Sequence, residues 1–168
     1  MELDTFLRNQ GIAAVRYEHA AVMTVEESLR LLPELPGAKT KNLFLRDSKG
    51  RRHFLVTVPH DLAGDLSALG TALGAGRLGF ASPERLAKYL GVTPGSVSLL
   101  ALINDLDHSV EFVIDRALWD AAAIQAHPLI NTATLVIQHA DLVRFLAATG
   151  HAPRIVDVPV GVRTTTAD

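Results

Sequence analysis

Cysteine is absent from the 168 residues. That excludes a disulfide framework, thiolate metal sites and a cysteine nucleophile. An excess of one charge is missing too: 16 Lys and Arg against 18 Asp and Glu leave a formal net charge of -2, which on average argues against a nucleic-acid partner. The strongest apolar run, residues 97–104, falls far short of the ~20 residues needed to cross a bilayer. The opening MELDTFLRNQ lacks the basic-then-apolar layout of a signal peptide, so no membrane partner and a cytoplasmic location are expected. There is no G-x-x-x-x-G-K-[ST], and the cluster Gly70, Gly74, Gly76, Gly79 follows a helical segment, the wrong context for a dinucleotide turn. None of the seven histidines stands in HExxH or HxxxH spacing, which disfavours a zinc site. Ser96 and Ser98 lack a G-x-S-x-G elbow. Neither a metal nor a cofactor is expected.

What is present is a foldable chain. With 48% hydrophobic and 20% charged residues, disorder, a collagen-like repeat and a coiled coil are excluded. The length suits one domain, expected over residues 1–160 with a fraying tail at 161–168. Helical periodicity marks residues 2–10 and 66–73, the latter broken by glycine. Thr24 and Glu27 form a capping box opening a helix to about Leu32. Ser82-Pro83 opens another that Gly91 closes, and residues 141–148 form a fifth, closed by Gly150. Strands are expected at 14–18, 41–46, 52–59, 78–81, 110–114, 131–137 and 154–158, the second and third joined by the Asp47-Ser48-Lys49-Gly50 turn. Hairpins mixed among helices give an α+β domain with a mixed, curved sheet of about six or seven strands. Asp105 and Asp107 beside His108 read either as a turn or as a metal or acid/base pair.

The charge is unevenly spread. Lys39, Lys41, Arg46, Lys49, Arg51 and Arg52 face one acid, Asp47, so residues 39–52 carry +5 and the rest of the chain -7. Such a hairpin can meet phosphates, where counterion release supplies sequence-independent affinity; it can equally be an ordinary solvated hairpin. Lys41 heads the apolar strand Asn42-Leu43-Phe44-Leu45. It is either a snorkelling edge residue or a positioned functional cation.

Four segments in consistent order carry a resemblance: Gly37-Ala-Lys-Thr-Lys-Asn-Leu-Phe-Leu45, Leu90-Gly-Val-Thr-Pro-Gly-Ser-Val-Ser98, Leu102-Ile-Asn-Asp105 and His127-Pro-Leu-Ile-Asn-Thr-Ala-Thr134. Together they resemble the YbaK-like aminoacyl-tRNA editing domains, and among these the free-standing deacylases of Ala-tRNA(Pro). The similarity spans roughly residues 15–158. It implies hydrolysis of mischarged alanine from tRNA(Pro) in trans. The implied partners are the tRNA(Pro) acceptor end and, transiently, prolyl-tRNA synthetase or an elongation factor. Lys41 matches the family's essential lysine, followed by Asn42. Gly95, Ser96, Val97 and Ser98 match the Gly-x-x-x-Pro loop lining the aminoacyl pocket, with Leu99 where the family has proline. His127 matches the pocket histidine, with Pro128 and Asn131 following. Lys41, Gly95 and His127 are thereby the catalytic candidates. Asn42, Ser96, Val97, Ser98, Asn104, Pro128 and Asn131 are candidates for substrate binding, and Lys39, Arg46, Lys49, Arg51 and Arg52 for tRNA binding.

The residue types suit that chemistry. An aminoacyl ester is already activated, so a hydrolase needs only to position water and stabilise an oxyanion. Backbone N–H groups of the Gly95 loop can approach the substrate closely. Lys41 would hold a phosphate or orient the ester, while Asn42 and His127 would contact the aminoacyl end. The resemblance implies that the ribose 2′-hydroxyl helps to activate water, so no protein nucleophile is required. A blander reading makes His127-Pro128 a loop anchor. Two other functions stay open: a non-catalytic tRNA-binding module, for which Leu99 is the main support, and a deacylase for another residue such as cysteine or serine.

Overall fold

A hairpin at residues 40–59 organises the five-stranded sheet. Strand β2 (Thr40–Asp47) pairs antiparallel with β3 (His53–Pro59), from Thr40 opposite Pro59 to Arg46 opposite His53. The Asp47 carboxylate closes the turn by accepting the Arg51 and Arg52 amides at 2.8 and 3.1 Å. Gly50 takes a left-handed φ of 68° there, which glycine adopts without steric cost. The computed structural model describes residues 2–21 and 34–161. The Thr24–Glu27 capping box with its helix to Leu32, and the chain beyond Gly161, lie outside the described residues.

Along the chain, α1 (Leu3–Asn9) precedes β1 (Val15–Glu18) and the hairpin. Next come α2 (Leu66–Ala72), β4 (Leu78–Phe80), α3 (Pro83–Leu90) and a 3₁₀ segment, Leu99–Asn104. Strand β5 (Val110–Asp115), α4 (Arg116–Trp119), β6 (Ala123–Ala126), β7 (Ala133–Gln138), α5 (His139–Thr149) and β8 (Arg154–Val156) complete it. Two sheets result, one ordered β4-β2-β3-β5-β8 and the other β1-β7-β6. The larger is mixed, because β3, β5 and β8 run parallel while β4, β2 and β3 alternate. Central β3 is buried along His53–Val58, as expected for a strand covered on both faces.

Alternation along β2 divides the core. Phe44 and Leu55 point to the side shared with Ile124, Ala126, Leu135 and Ile137 of the smaller sheet, where α1, α3 and α5 also bury their apolar faces. Leu45, Phe54, Val56 and Val58 point the other way, onto Leu69 and Leu73 at α2.

The α+β class and all seven expected strands are present. An eighth, β6, is fully buried over its four residues, so it shows no alternation to find. The strands also split into two sheets, since periodicity identifies strands but not their partners. The apolar run at 97–104 ends in a 3₁₀ turn capped by Ser98, whose hydroxyl accepts the Leu100 amide at 3.2 Å. Asp105 serves the turn: it accepts from the Ser109 and Val110 amides and pairs with buried His151 at 2.9 Å. Among the described residues no group of three His, Asp or Glu side chains is placed to hold a metal ion, and no helix is long and apolar enough to cross a membrane.

Two glycines of the 70–79 cluster make a testable pair. Helix α2 continues through Gly70, where a Cβ would lie 1.8 Å from the Gly76 carbonyl oxygen, whereas at Gly79 it would meet nothing within 4 Å. Gly70→Ala is expected to destabilise by about 1–3 kcal/mol through overpacking. Gly79→Ala is expected to be neutral or to stabilise by up to about 1 kcal/mol. Urea unfolding of both variants checks this.

Candidate functional site

The two sheets are tied together just before β2. Residue 38 bridges β6: the Ala38 amide donates to Ala123 O at 2.9 Å and Ala38 O accepts the Gln125 amide at 2.9 Å. Gly37 takes a left-handed φ of 89° there, and a Cβ on it would already lie in van der Waals contact with the Ala123 and Ile124 backbone at 3.4 Å. The Gln125 amide nitrogen reaches the carbonyls of Leu35, Pro36 and Gly37 at 3.1, 3.2 and 3.2 Å. Thr40 adds a 2.6 Å hydroxyl bond to Gln125 O. Lys41 and Asn42 are therefore delivered to one end of the seam between the sheets.

On this strand neighbouring side chains face opposite ways. Asn42 lies on the Phe44 side, where its Oδ1 accepts the buried Thr57 hydroxyl at 2.6 Å. That bond fixes the amide with its oxygen toward Thr57 and its NH2 group turned away from it. Lys41 lies on the Leu43 and Leu45 side.

The β6–β7 loop carries His127. Its Nδ1–H points at Ala133 O, 3.4 Å away, leaving Nε2 as the acceptor end. Burial above all, and also His19, hold this imidazole below its ordinary value of 6.5, against an opposing pull from the Ala133 carbonyl. His19 joins through β7: its amide donates to Thr132 O at 2.9 Å, Nδ1–H donates to Ala20 O at 2.8 Å, and Nε2 accepts the Thr134 hydroxyl at 2.9 Å. Two consecutive β7 residues, Ala133 and Thr134, thus hold the two rings. Between Pro128 and Asn131 the chain passes through Leu129 at φ 69°, a left-handed conformation costing an L-residue about 1–2 kcal/mol. Such strain persists only where surroundings fix it, and it gathers at functional loops.

Gly95 also takes a left-handed φ, 93°, in a turn where the Ser96 amide donates to Thr93 O at 3.0 Å. Val97 packs half-buried on the core that includes Ala126 and Leu129. Leu99 is fully buried in the first turn after the Ser98 cap. That is the position where proline's missing N–H is tolerated, so leucine there fills core while the loop keeps its cap.

Other candidates have structural attachments. Asn104 donates to Leu90 O at 2.8 Å, closing the end of α3. Arg52 is gripped by both Glu111 oxygens, at 2.9 and 2.8 Å, and reaches Gly74 O at 3.1 Å. Arg46 reaches the Asp47 and Ser48 carbonyls. Lys49 and Arg51 stand exposed in the turn, and the Lys39 carbonyl accepts the His60 amide. The fold adds cations that the 39–52 count did not contain. Arg85 bonds Gly50 O at 3.2 Å and His53 Nε2 at 3.0 Å, and Arg77 precedes β4, which pairs with β2. Sequence reasoning also missed His19, Thr40, Thr57 and Gln125. Their partners are 15 to 115 positions away, and no local pattern marks them.

This geometry can be set beside known proteins. A model of the aminoacyl-tRNA editing domain matches residues 19–145, and the chain belongs to that family. It is 39% identical over 141 residues to the prolyl-tRNA editing protein ProX of Acetoanaerobium sticklandii, covering 84% of this chain and 86% of that one. It is 44% identical over 157 residues to prolyl-tRNA synthetase associated domain-containing protein 1 of Danio rerio, covering 92% and 85%. A solved structure described as a candidate trans-editing enzyme for prolyl-tRNA synthetase shares the fold at a TM-score of 0.69 and 20% identity, over 95% of this chain and 96% of that one.

The histidines generate a pH prediction. His53 is also held below 6.5, by burial first and then by the Arg85 guanidinium. Below pH 6.5 the unfolded chain binds protons that His53 and His127 in the fold resist, so stability is lost as pH falls from 6.5 toward their lowered values. Asp47, kept below 3.8 chiefly by the Arg52 amide, titrates outside that window. The melting temperature should fall between pH 7.5 and 5.5, and His53→Gln should make the fall shallower. Equal slopes would remove His53 from the account.

Proposed function

We propose that the protein is an aminoacyl-tRNA deacylase that removes alanine from mischarged tRNA(Pro) in trans. The observation that supports this reading is the seam at Ala38–Gln125, which ties the chain entering the strand of Lys41 and Asn42 to β6, the strand that leads into His127. The names of the ProX relative and of the synthetase-associated relatives support the prolyl assignment.

In this mechanism Lys41 neutralises phosphate or orients the ester at the 3′ end. The Asn42 NH2 group and backbone amides of the Gly95–Ser98 loop donate to the carbonyl oxygen as it becomes an oxyanion. Water adds to the carbonyl carbon with the ribose 2′-hydroxyl assisting. The bond to the ribose oxygen breaks, that oxygen takes a proton, and alanine leaves as the free acid. His127, neutral and with Nε2 accepting, would hold the substrate's ammonium or the attacking water.

Selectivity follows from size. A synthetic site shaped for proline rejects a smaller side chain by only about 1–3 kcal/mol per missing methylene. A second pocket too small for proline hydrolyses what the first admits. Transient association with prolyl-tRNA synthetase or an elongation factor would bring the enzyme to its substrate before release to the ribosome.

The test is single-turnover deacylation of Ala-tRNA(Pro), with cysteinyl and seryl charges on the same tRNA as comparison. Wild type should release alanine fastest, and Lys41→Ala should lose about 100- to 1,000-fold, as when one transition-state contact is removed. Full activity in Lys41→Ala overturns the role of the lysine. Binding of tRNA without release of any amino acid would select the non-catalytic module instead.

A further inference from the structure

Strand β3 carries one hydroxyl, that of Thr57, and the residue is fully buried among Phe54, Leu55, Val56 and Val58 of its own strand. It stands opposite Asn42 of β2 and beside Ile114 of β5, next to a row formed by Phe44, Leu55 and Phe112 of the core. A valine suits a buried strand at least as well as a threonine. A buried hydroxyl, moreover, costs stability unless it is hydrogen-bonded. Its partner is the Asn42 side chain, at 2.6 Å. Asn42 is only half-buried, so water can satisfy its amide without help from Thr57. Stability alone is a poor reason for the pair.

What the pair fixes is direction. The last torsion of an asparagine side chain is broad and roughly two-fold, so the amide by itself does not choose which end faces inward. With the Thr57 O–H donating, Oδ1 faces β3 and the NH2 group is turned away from it. The face of the strand matters as well. Residues two apart on a strand share a face, so Asn42 shares one with Thr40, whose hydroxyl bonds Gln125 O at 2.6 Å. Strand β6 ends one residue after Gln125, and His127 follows. Asn42 therefore lies on the side of β2 that meets β6, and Thr57 sets the orientation of its amide there.

We infer that Thr57 is a positioning residue, which holds the Asn42 amide so that its NH2 group is presented as a donor to the oxyanion of the ester. The inference rests on the proposed editing function for what the amide meets, and on the hydrogen bond alone for how the amide is held. Thr57 acts only through Asn42. That role explains why a strand otherwise filled by apolar side chains keeps a hydroxyl at this one position.

The experiment compares wild type, Thr57→Val and Thr57→Ser, and repeats Thr57→Val in an Asn42→Ala background. Each variant is first shown to melt cooperatively, and Thr57→Ala stands in for Thr57→Val if the latter does not. With Ala-tRNA(Pro), Thr57→Val should lower kcat by about 10- to 100-fold and leave KM nearly unchanged, the scale of a misplacement of about 1 Å. Thr57→Ser keeps the O–H donor and should recover most of that loss. In the Asn42→Ala background Thr57→Val should have no further effect, because a residue acting through another loses its effect with it. By NMR of isotope-labelled protein, the Asn42 NH2 signals, identified by their loss in Asn42→Ala, should move in Thr57→Val and stay in place in Thr57→Ser. Unchanged kcat in Thr57→Val overturns the positioning role, and so does an equal loss in the Asn42→Ala background. A loss that Thr57→Ser does not recover is a packing effect and overturns it too. If wild type releases no alanine, the editing reading fails and the NH2 signals decide alone: a shift in Thr57→Val supports the hold on Asn42, and an unmoved signal overturns it.

Discussion

The contact on which the site depends is the one between residues 35–40 and strand β6. Gln125 is buried in a strand with no other polar side chain, and it uses its amide to gather three successive carbonyls. An unpartnered buried amide would cost about 1–3 kcal/mol, and so would each carbonyl left without a donor. The bonds therefore lock in one arrangement, with Gly37 supplying the left-handed φ of 89° that the turn into the seam requires. Everything downstream inherits that registration: Thr40 on Gln125 O, Asn42 on Thr57, and Lys41 one residue between them on the opposite face. On the β6 side the same strand leads into His127 and the strained turn at Leu129.

Charge and function are reconciled by location. A formal charge of -2 averages over a chain in which residues 39–52 alone carry +5 and form a local basic border. Arg85 of α3 joins the hairpin's cations there, and after burial it is the next cause that holds His53 below its ordinary value. Arg52 shows that a cation in a basic run need not be available, since Glu111 holds it bidentately. The proposed grip on only the end of a tRNA calls for a local basic edge rather than a basic average.

Much of this was legible in the sequence, and the reasons are physical. Alternation and turn residues mark β2, β3 and β5, and Ser82 with Gly91 marks α3, because caps and turns are local. The order of short motifs around Lys41, Gly95 and His127 led to the editing family. What the sequence could not show is pairing. Strand β6 is too short and too uniformly buried to announce itself, and the division into two sheets depends on tertiary partners. His19 looked like one histidine among seven until β7 placed it beside His127. Asn104, in contrast, stands in a resemblance motif, and its side-chain amide donates to Leu90 O at the end of α3 beside the Gly91 cap.

The central proposal is that the site at this seam hydrolyses the alanyl ester and spares the prolyl one. It is met most directly by measuring the deacylation rates of Ala-tRNA(Pro) and Pro-tRNA(Pro) side by side, with the same enzyme and the same tRNA. The account predicts rapid release of alanine with the prolyl ester surviving at its spontaneous rate. Equal release of both, or release of proline alone, would contradict it.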